Sequence, residues 1–239
     1  MRINSSETEN FDEIIPKSEN TQLDYARKLT FGDTITFSEK WLDCCVGIVD
    51  MVNSTKISSV LHNSKLARYY GIFLNSMSKI AKQFDATIVK NVGDSILYYF
   101  PQTADSKNKD AFVKCLECNF SMIEVHDAIN DKLFEEKLPS LDYRISIDYG
   151  AVMMARAANS LCEDIFGPPV NMCSKINRLA IPNTIVIGGD LYQLVKNFNY
   201  YKLVQVQGFS LGFKHTYPTY SLKRNGMGPV GSRLGCWFL

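Results

Sequence analysis

From Leu66 onward, apolar residues recur at Tyr69, Tyr70, Phe73, Leu74, Met77, Ile80, Ala81 and Phe84, the repeat of a helix that buries one face. The spacing predicts a long amphipathic helix there. Residues Cys44 to Val52 (CCVGIVDMV) form instead a nearly continuous apolar run, the pattern of a central strand covered on both faces. Asp50 is the one carboxylate in that run, and an unpaired carboxylate in so apolar a strand is costly. Two β-rich runs, 87–92 and 95–100, meet at Gly93 and Asp94, which predicts a hairpin with Asp94 at its tip.

A second helical stripe, Phe112, Cys115, Leu116, Met122, Ile123, His126 and Ile129, predicts a helix from about Asp110 to Leu133. A strand follows over Tyr143 to Asp148 and continues beyond Gly150 through AVMMA. In FGPPVNMCSKINRLA two prolines open a helix, where a missing N–H costs little, and that helix is expected over Val170 to Leu179. Thr184 to Ile187 reads as a short strand and Asp190 as the cap of the helix LYQLVKN. Tyr200 to Val206 and Thr216 to Leu222 read as a closing strand pair. The expected fold class is α+β, a ferredoxin-like βαββαβ core with a C-terminal αβαββ extension and the core helices on one face of the sheet. The polar, irregular residues 1–40 are expected to be a flexible arm, 41–223 the folded domain, and the Gly-rich residues 224–239 a disordered tail.

Charge narrows the functional classes. With 26 Lys and Arg against 25 Asp and Glu, the formal net charge is +1, so there is no general pull toward nucleic acid or an anionic membrane. The tyrosines at 69, 70, 98, 99, 143 and 149 follow helix and strand periodicity, which favours packing over base stacking. No apolar run approaches the roughly 20 residues of a bilayer span, and the first residues lack the apolar stretch of a signal peptide. The expectation is a cytoplasmic protein without stable membrane association. Seven cysteines, an odd number without the spacing of a secreted scaffold, read as reduced thiols. Cys115, Cys118 and His126 lack a second ligand pair at zinc spacing and read as core. The last four residues, Cys236 to Leu239, mimic a prenylation signal, but the two middle residues are not aliphatic, and a disordered tail is the better reading.

Candidate chemistry begins with two carboxylates. Asp50 at the end of a buried strand and Asp94 at a neighbouring hairpin tip can meet at one sheet edge and hold hard divalent cations. An Asp in a Gly-Asp hairpin is ordinarily a turn former, so Asp94 alone carries little.

Four segments together resemble the class III nucleotidyl cyclase catalytic domain, over roughly Trp41 to Leu222. VGIVDMVNST resembles the family's first metal motif, with Asp50 and Thr55 in place. VKNVGDSILYYF resembles the second, with Lys90 four residues before the metal-binding position of Asp94. RISIDYGAV is similar to the strand that carries a phosphate-contacting Arg, which puts Arg144 there. DIFGPPVNMCSK resembles DxWGxxVNxxSR, which puts Asp164 at the base-reading acidic position and Asn171 at the ribose-orienting position. Their shared order is what makes the resemblance specific.

The resemblance implies a head-to-tail homodimer with sites at its interface, metal carboxylates from one chain and Lys90, Asp164 and Asn171 from the other. It implies two divalent cations, Mg²⁺ or Mn²⁺, on Asp50, Asp94 and the Met51 carbonyl. They activate the ribose 3′-hydroxyl and neutralise the phosphates as pyrophosphate leaves. Adenine offers an acceptor at N1 and a donor at its amino group, so the Lys90 donor beside the Asp164 acceptor matches adenine and clashes with guanine. The expected reaction is therefore ATP to 3′,5′-cyclic AMP. The runner-up is another nucleotide, GTP or a pyrimidine, because the segment Met153 to Glu163 departs from the family. A second alternative is a degenerate cyclase that binds nucleotide and signals. Lys175 replaces the family's transition-state Arg and supplies charge without a planar fork. Arg178, one helical turn on, is a candidate substitute. Asn53 and Ser54 stand where the family carries Gly and Phe. Lys214 is the nearest candidate for a γ-phosphate contact.

Overall fold

The computed structural model describes residues 35–157, 163–210 and 216–226. In chain order the elements are β1 (Ile35–Met51), α1 (Ser54–Ser58), α2 (Asn63–Gln83), β2 (Thr87–Val92), β3 (Ser95–Phe100), α3 (Lys109–Glu124), α4 (His126–Glu135), β4 (Tyr143–Ala157), β5 (Asp164–Phe166), α5 (Pro168–Ile176), β6 (Ile185–Gly188), α6 (Gly189–Val195), β7 (Tyr201–Ser210) and β8 (Thr216–Arg224). Tight 3₁₀ turns follow β3 at Pro101–Ala104 and α5 at Asn177–Leu179. The strands form one eight-stranded sheet in the order β2-β3-β1-β4-β6-β8-β7, with β5 paired to β4. The first four strands, in the order β2-β3-β1-β4 and antiparallel throughout, are the ferredoxin-like core. β6 adds parallel to β4, and β8 and β7 complete the edge.

The two-residue period of β1 divides its side chains between two cores. Cys45, Val49 and Met51 join Phe73, Met77, Phe112, Leu116 and Tyr143 in the larger one, under α2, α3, α4 and α6. Cys44, Val46 and Ile48 face the other side, where they pack with Leu97, Val152, Ile165 and Cys173 of α5. Asp50 continues this second row, so the strand delivers its carboxylate to the face covered by α5 rather than to the main core. Gly47 lies where β1 and β3 meet the Tyr98 ring; a Cβ there would stand 2.5 Å from two ring atoms. Tyr98 is fully buried and donates to Asn119 of α3, which locks the strand pair to the helix layer.

The structure corrects several local expectations. The helix expected over Asp110 to Leu133 is two helices that meet at Val125, which has left helical geometry (φ −83°, ψ 2°). His126 does not pack as an apolar-stripe residue; its ring bonds to Asp127, Asp142, the Leu141 carbonyl and Asn130. Asp190 is not the cap of α6. Gly188 holds that position, and the Asp190 N–H donates instead to the Tyr217 hydroxyl. β1 begins at Ile35, six residues before Trp41, because residues 35–37 pair with 155–157 of β4. β8 runs through Arg224, whose guanidinium pairs with the buried Glu117 and with Glu124 of α3. Cys44, Cys45, Cys115, Cys118 and Cys173 are buried free thiols. Cys162, Cys236 and the terminal tetrapeptide lie outside the described residues. Among the described residues, no helix is long and apolar enough to cross a membrane.

Candidate active site

Strand register builds the site. Asp50 is the last outward-facing residue of β1, opposite Ser95 of β3 on one side and Arg144 of β4 on the other. Asp94 sits in the hairpin immediately before Ser95, where Gly93 takes φ +63° and lets the turn close. The two carboxylates act on each other. Burial first, and then the Asp94 charge, push the Asp50 carboxyl up to about 6, while Arg144 and Arg178 pull it down. Two hard oxygen donors that repel one another, next to the main-chain carbonyl of Met51, are chemically suited to a divalent cation. Among the described residues no group of three or more His, Cys, Asp or Glu gathers at one point, so water or substrate oxygens must complete the coordination of any metal held here.

Behind Asp50 the chain turns sharply into α1. Asn53 adopts the left-handed conformation (φ 59°, ψ 24°) and its carbonyl accepts from the N–H groups of Lys56 and Ile57. Asn tolerates this conformation better than most residues, so its presence where the family carries Gly keeps the turn. Thr55 lies in α1, exposed and outside the cleft described next.

A cleft of about 400 Å³ opens on the α5 face. Asp50, Lys90, Asn171 and Arg178 line it, with Ile48, Leu97, Ile165 and Val170 supplying an apolar wall. Lys90 projects from β2 and ion-pairs with Asp164 at the start of β5; the Lys side chain is 47% exposed and the Asp 29%. The second Asp164 oxygen accepts from the Ile165 N–H at 2.8 Å, which fixes the carboxylate plane. Asn171 reaches the cleft because the turn before α5 is tight. A Cβ on Gly167 would stand 2.3 Å from the Ala151 carbonyl, and Pro168 and Pro169 start the helix directly afterwards. Arg144 presents a buried Nε with no partner among the described residues, an orphaned donor of the kind that an anion would satisfy.

The structure thus brings together Asp50, Asp94, Arg144, Lys90, Asp164 and Asn171 on one face of the sheet. Lys175 is not among the cleft-lining residues, whereas Arg178 is. Lys214 lies outside the described residues. Sequence reasoning passed over Asn177, which is buried and donates from Nδ2 to Ser146 Oγ at 3.2 Å and to the Arg144 and Ile48 carbonyls at 3.4 and 3.5 Å. Its signal was an amide at helical spacing inside an otherwise apolar face, next to Ile176.

Residues 37–224 match the family model of the adenylate and guanylate cyclase catalytic domain. The chain belongs to this family. The chain is 26% identical over 224 residues to a cytidylate cyclase of Staphylococcus aureus, across 90% of this chain and 51% of that protein. It is also 26% identical over 141 residues to an adenylate cyclase of Glutamicibacter nicotianae, across 59% of this chain and 29% of that one. The chain therefore spans about half or less of the length of these curated relatives. Among solved structures, the fold is that of the adenylyl cyclase CyaB from P. aeruginosa, with a TM-score of 0.70 at 22% identity over 79% of this chain and 98% of that one. The guanylate cyclase domain of RhGC from Catenaria anguillulae, solved with GTP, superimposes with a TM-score of 0.65 at 19% identity, over 78% of this chain and 99% of that one. These class III cyclases share the fold while differing in the base they act on.

Proposed function

We propose that this cyclase domain converts a nucleoside triphosphate whose base presents a ring-nitrogen acceptor beside an exocyclic amino donor, ATP or CTP, into the 3′,5′-cyclic monophosphate and pyrophosphate. The observation that carries the reading is the Lys90 and Asp164 pair at the rim of the cleft. Adenine presents a ring acceptor beside an amino donor, and cytosine presents the same order at N3 and its 4-amino group. Guanine and uracil present a ring N–H beside a carbonyl, which would set donor against donor at Lys90 and acceptor against acceptor at Asp164. Adenine remains the reading carried by the sequence. Cytosine gains support from the relative named a cytidylate cyclase.

The remaining residues divide the work by position. Asn171 faces the cleft from α5, where an amide can orient the ribose. Arg144 offers its orphaned Nε to a phosphate oxygen. Asp50, Asp94 and the Met51 carbonyl would hold Mg²⁺ or Mn²⁺, which when bound supplies Lewis acidity toward the 3′-hydroxyl and charge for the polyphosphate. Thr55 and Lys175 fall at phosphate-site positions by resemblance, outside the cleft of the single chain; Lys214 has the same assignment. A head-to-tail homodimer, in which Lys90, Asp164 and Asn171 serve the carboxylates of a second copy, completes the reading. The combined substitution Lys90→Glu with Asp164→Cys should move substrate preference from ATP or CTP toward GTP. Unchanged preference for ATP or CTP would remove the pair from base selection.

A further inference from the structure

The 3₁₀ turn after α5 carries a cation that the four motifs do not require. Asn177 opens that turn and is buried; its single amide nitrogen spans β1 and β4 through Ile48, Arg144 and Ser146. These are the two strands whose register sets Asp50 opposite Arg144. The next residue, Arg178, is consequently held at the Asp50 end of the cleft. It lines the cleft with Asp50, makes no hydrogen bond or ion pair with any described residue, and its charge lowers the Asp50 carboxyl together with Arg144. Arg144, on the other strand, has its buried Nε without a partner. Two guanidiniums therefore offset two carboxylates, and any charge brought by divalent cations is left for a polyanion to balance.

On the cyclase reading above, we propose that Arg178 binds the substrate polyphosphate in the same half-site as Asp50 and Asp94 of its own chain, as a second phosphate arginine beside Arg144. This differs from the role suggested by its spacing from Lys175, a stand-in for the transition-state Arg that would serve the partner's carboxylates. A guanidinium at this point makes charge-assisted, bidentate contacts to phosphate oxygens, and Asn177 is the positioning residue that holds it there.

The first test needs no turnover. Inorganic tripolyphosphate is titrated with Mn²⁺ into the full chain and into Arg178→Ala, Arg178→Lys and Lys175→Ala. Arg178→Ala should weaken binding by about tenfold or more, a typical loss for a charge-assisted contact, with partial recovery in Arg178→Lys. Binding unaffected by Arg178→Ala, or weakened more by Lys175→Ala, overturns the proposal.

The second test mixes impaired chains and assays them at a substrate concentration well below KM, where weakened binding shows as lost rate. Asp50→Ala with Asn171→Ala is the control, since a head-to-tail dimer of these regains one intact site. Arg178→Ala should then be rescued by Asn171→Ala, which supplies an intact carboxylate half, and not by Asp50→Ala. The reverse pattern overturns the assignment of Arg178 to the Asp50 half. A control pair that stays inactive would count against the dimer itself, and the tripolyphosphate titration would still decide the role of Arg178.

Discussion

At the scale of single residues, Asp50 concentrates the energetic cost of the site. Its folded carboxyl is raised to about 6 by burial and by Asp94. A group raised in this way contributes stability that is complete below its unfolded value and is lost as pH rises through about 6. The metal-free domain should therefore lose stability between about pH 4 and 6 in part through Asp50, and Asp50→Asn should flatten that loss. Mn²⁺ needs the ionised carboxylate, so the rise in melting temperature on adding Mn²⁺ should be larger at pH 8 than at pH 5.5. Thermal melts at both pH values, with and without the cation, check this; equal shifts would count against Asp50 as a ligand. Asp50 was legible in the sequence because a carboxylate in an apolar run has few structural reasons to be there. Lys90 and Asp164 are unremarkable singly, and only the resemblance paired them. Asn177 was missed because an amide at helical spacing on an apolar face does not announce which strands it will bond.

At the scale of elements, α2, the β2-β3 hairpin, the short strand β6 and the helix α6 were read, whereas one long periodic segment hid a break, and β5 and α1 left no signal. α2 follows from a period of 3.6 residues over many positions, and the β2-β3 hairpin from two β-rich runs that meet at Gly93 and Asp94. The break between α3 and α4 was invisible, since Met122, Ile123, His126 and Ile129 keep helical spacing across it without Gly or Pro. β5 has three residues and α1 five, too few for either period to register. The β1 extension before Trp41 pairs with β4 while its side chains stay largely exposed, so no apolar alternation announces it. The turn from β5 into α5 is the connection on which Asn171 depends. Gly167→Ala would drive a methyl group into the Ala151 carbonyl at 2.3 Å, and the turn must move. The expected result is a loss of about 1 to 3 kcal/mol in urea unfolding, in the range of overpacked sites. The loss in kcat should exceed what reduced folding explains, because Asn171 moves with the turn. Wild-type stability with wild-type kcat would mean that this close approach does not position the helix.

At the scale of the whole molecule, the sheet joins two halves around one buried carboxylate. Asp148 in β4 accepts from the Tyr149 and Leu191 N–H groups and from the Tyr217 hydroxyl, which ties β4 to α6 and β8. Gly188 leaves room for it, since a Cβ there would stand 2.2 Å from the Asp148 carboxyl carbon. Burial raises Asp148 to about 6, with the three hydrogen bonds opposing the rise. Its stabilising contribution is thus full below the ordinary carboxylate value and lost as pH climbs through about 6, up to about 3 kcal/mol between pH 4 and 8. Asp148→Asn should abolish that part of the slope in urea titrations at several pH values; an unchanged slope would reject Asp148 as its source. The same sheet sets Asp50, Arg144, Lys90 and Asn171 on one face, and the account rests on what that face does. The most direct measurement offers purified protein all four nucleoside triphosphates at equal concentration with Mn²⁺, and resolves the products by chromatography beside Asp94→Ala. Cyclic AMP or cyclic CMP is the expected product, with cyclic GMP and cyclic UMP minor and every product lost in the variant. Cyclic GMP or cyclic UMP as the main product, or turnover that survives Asp94→Ala, would contradict the proposed function.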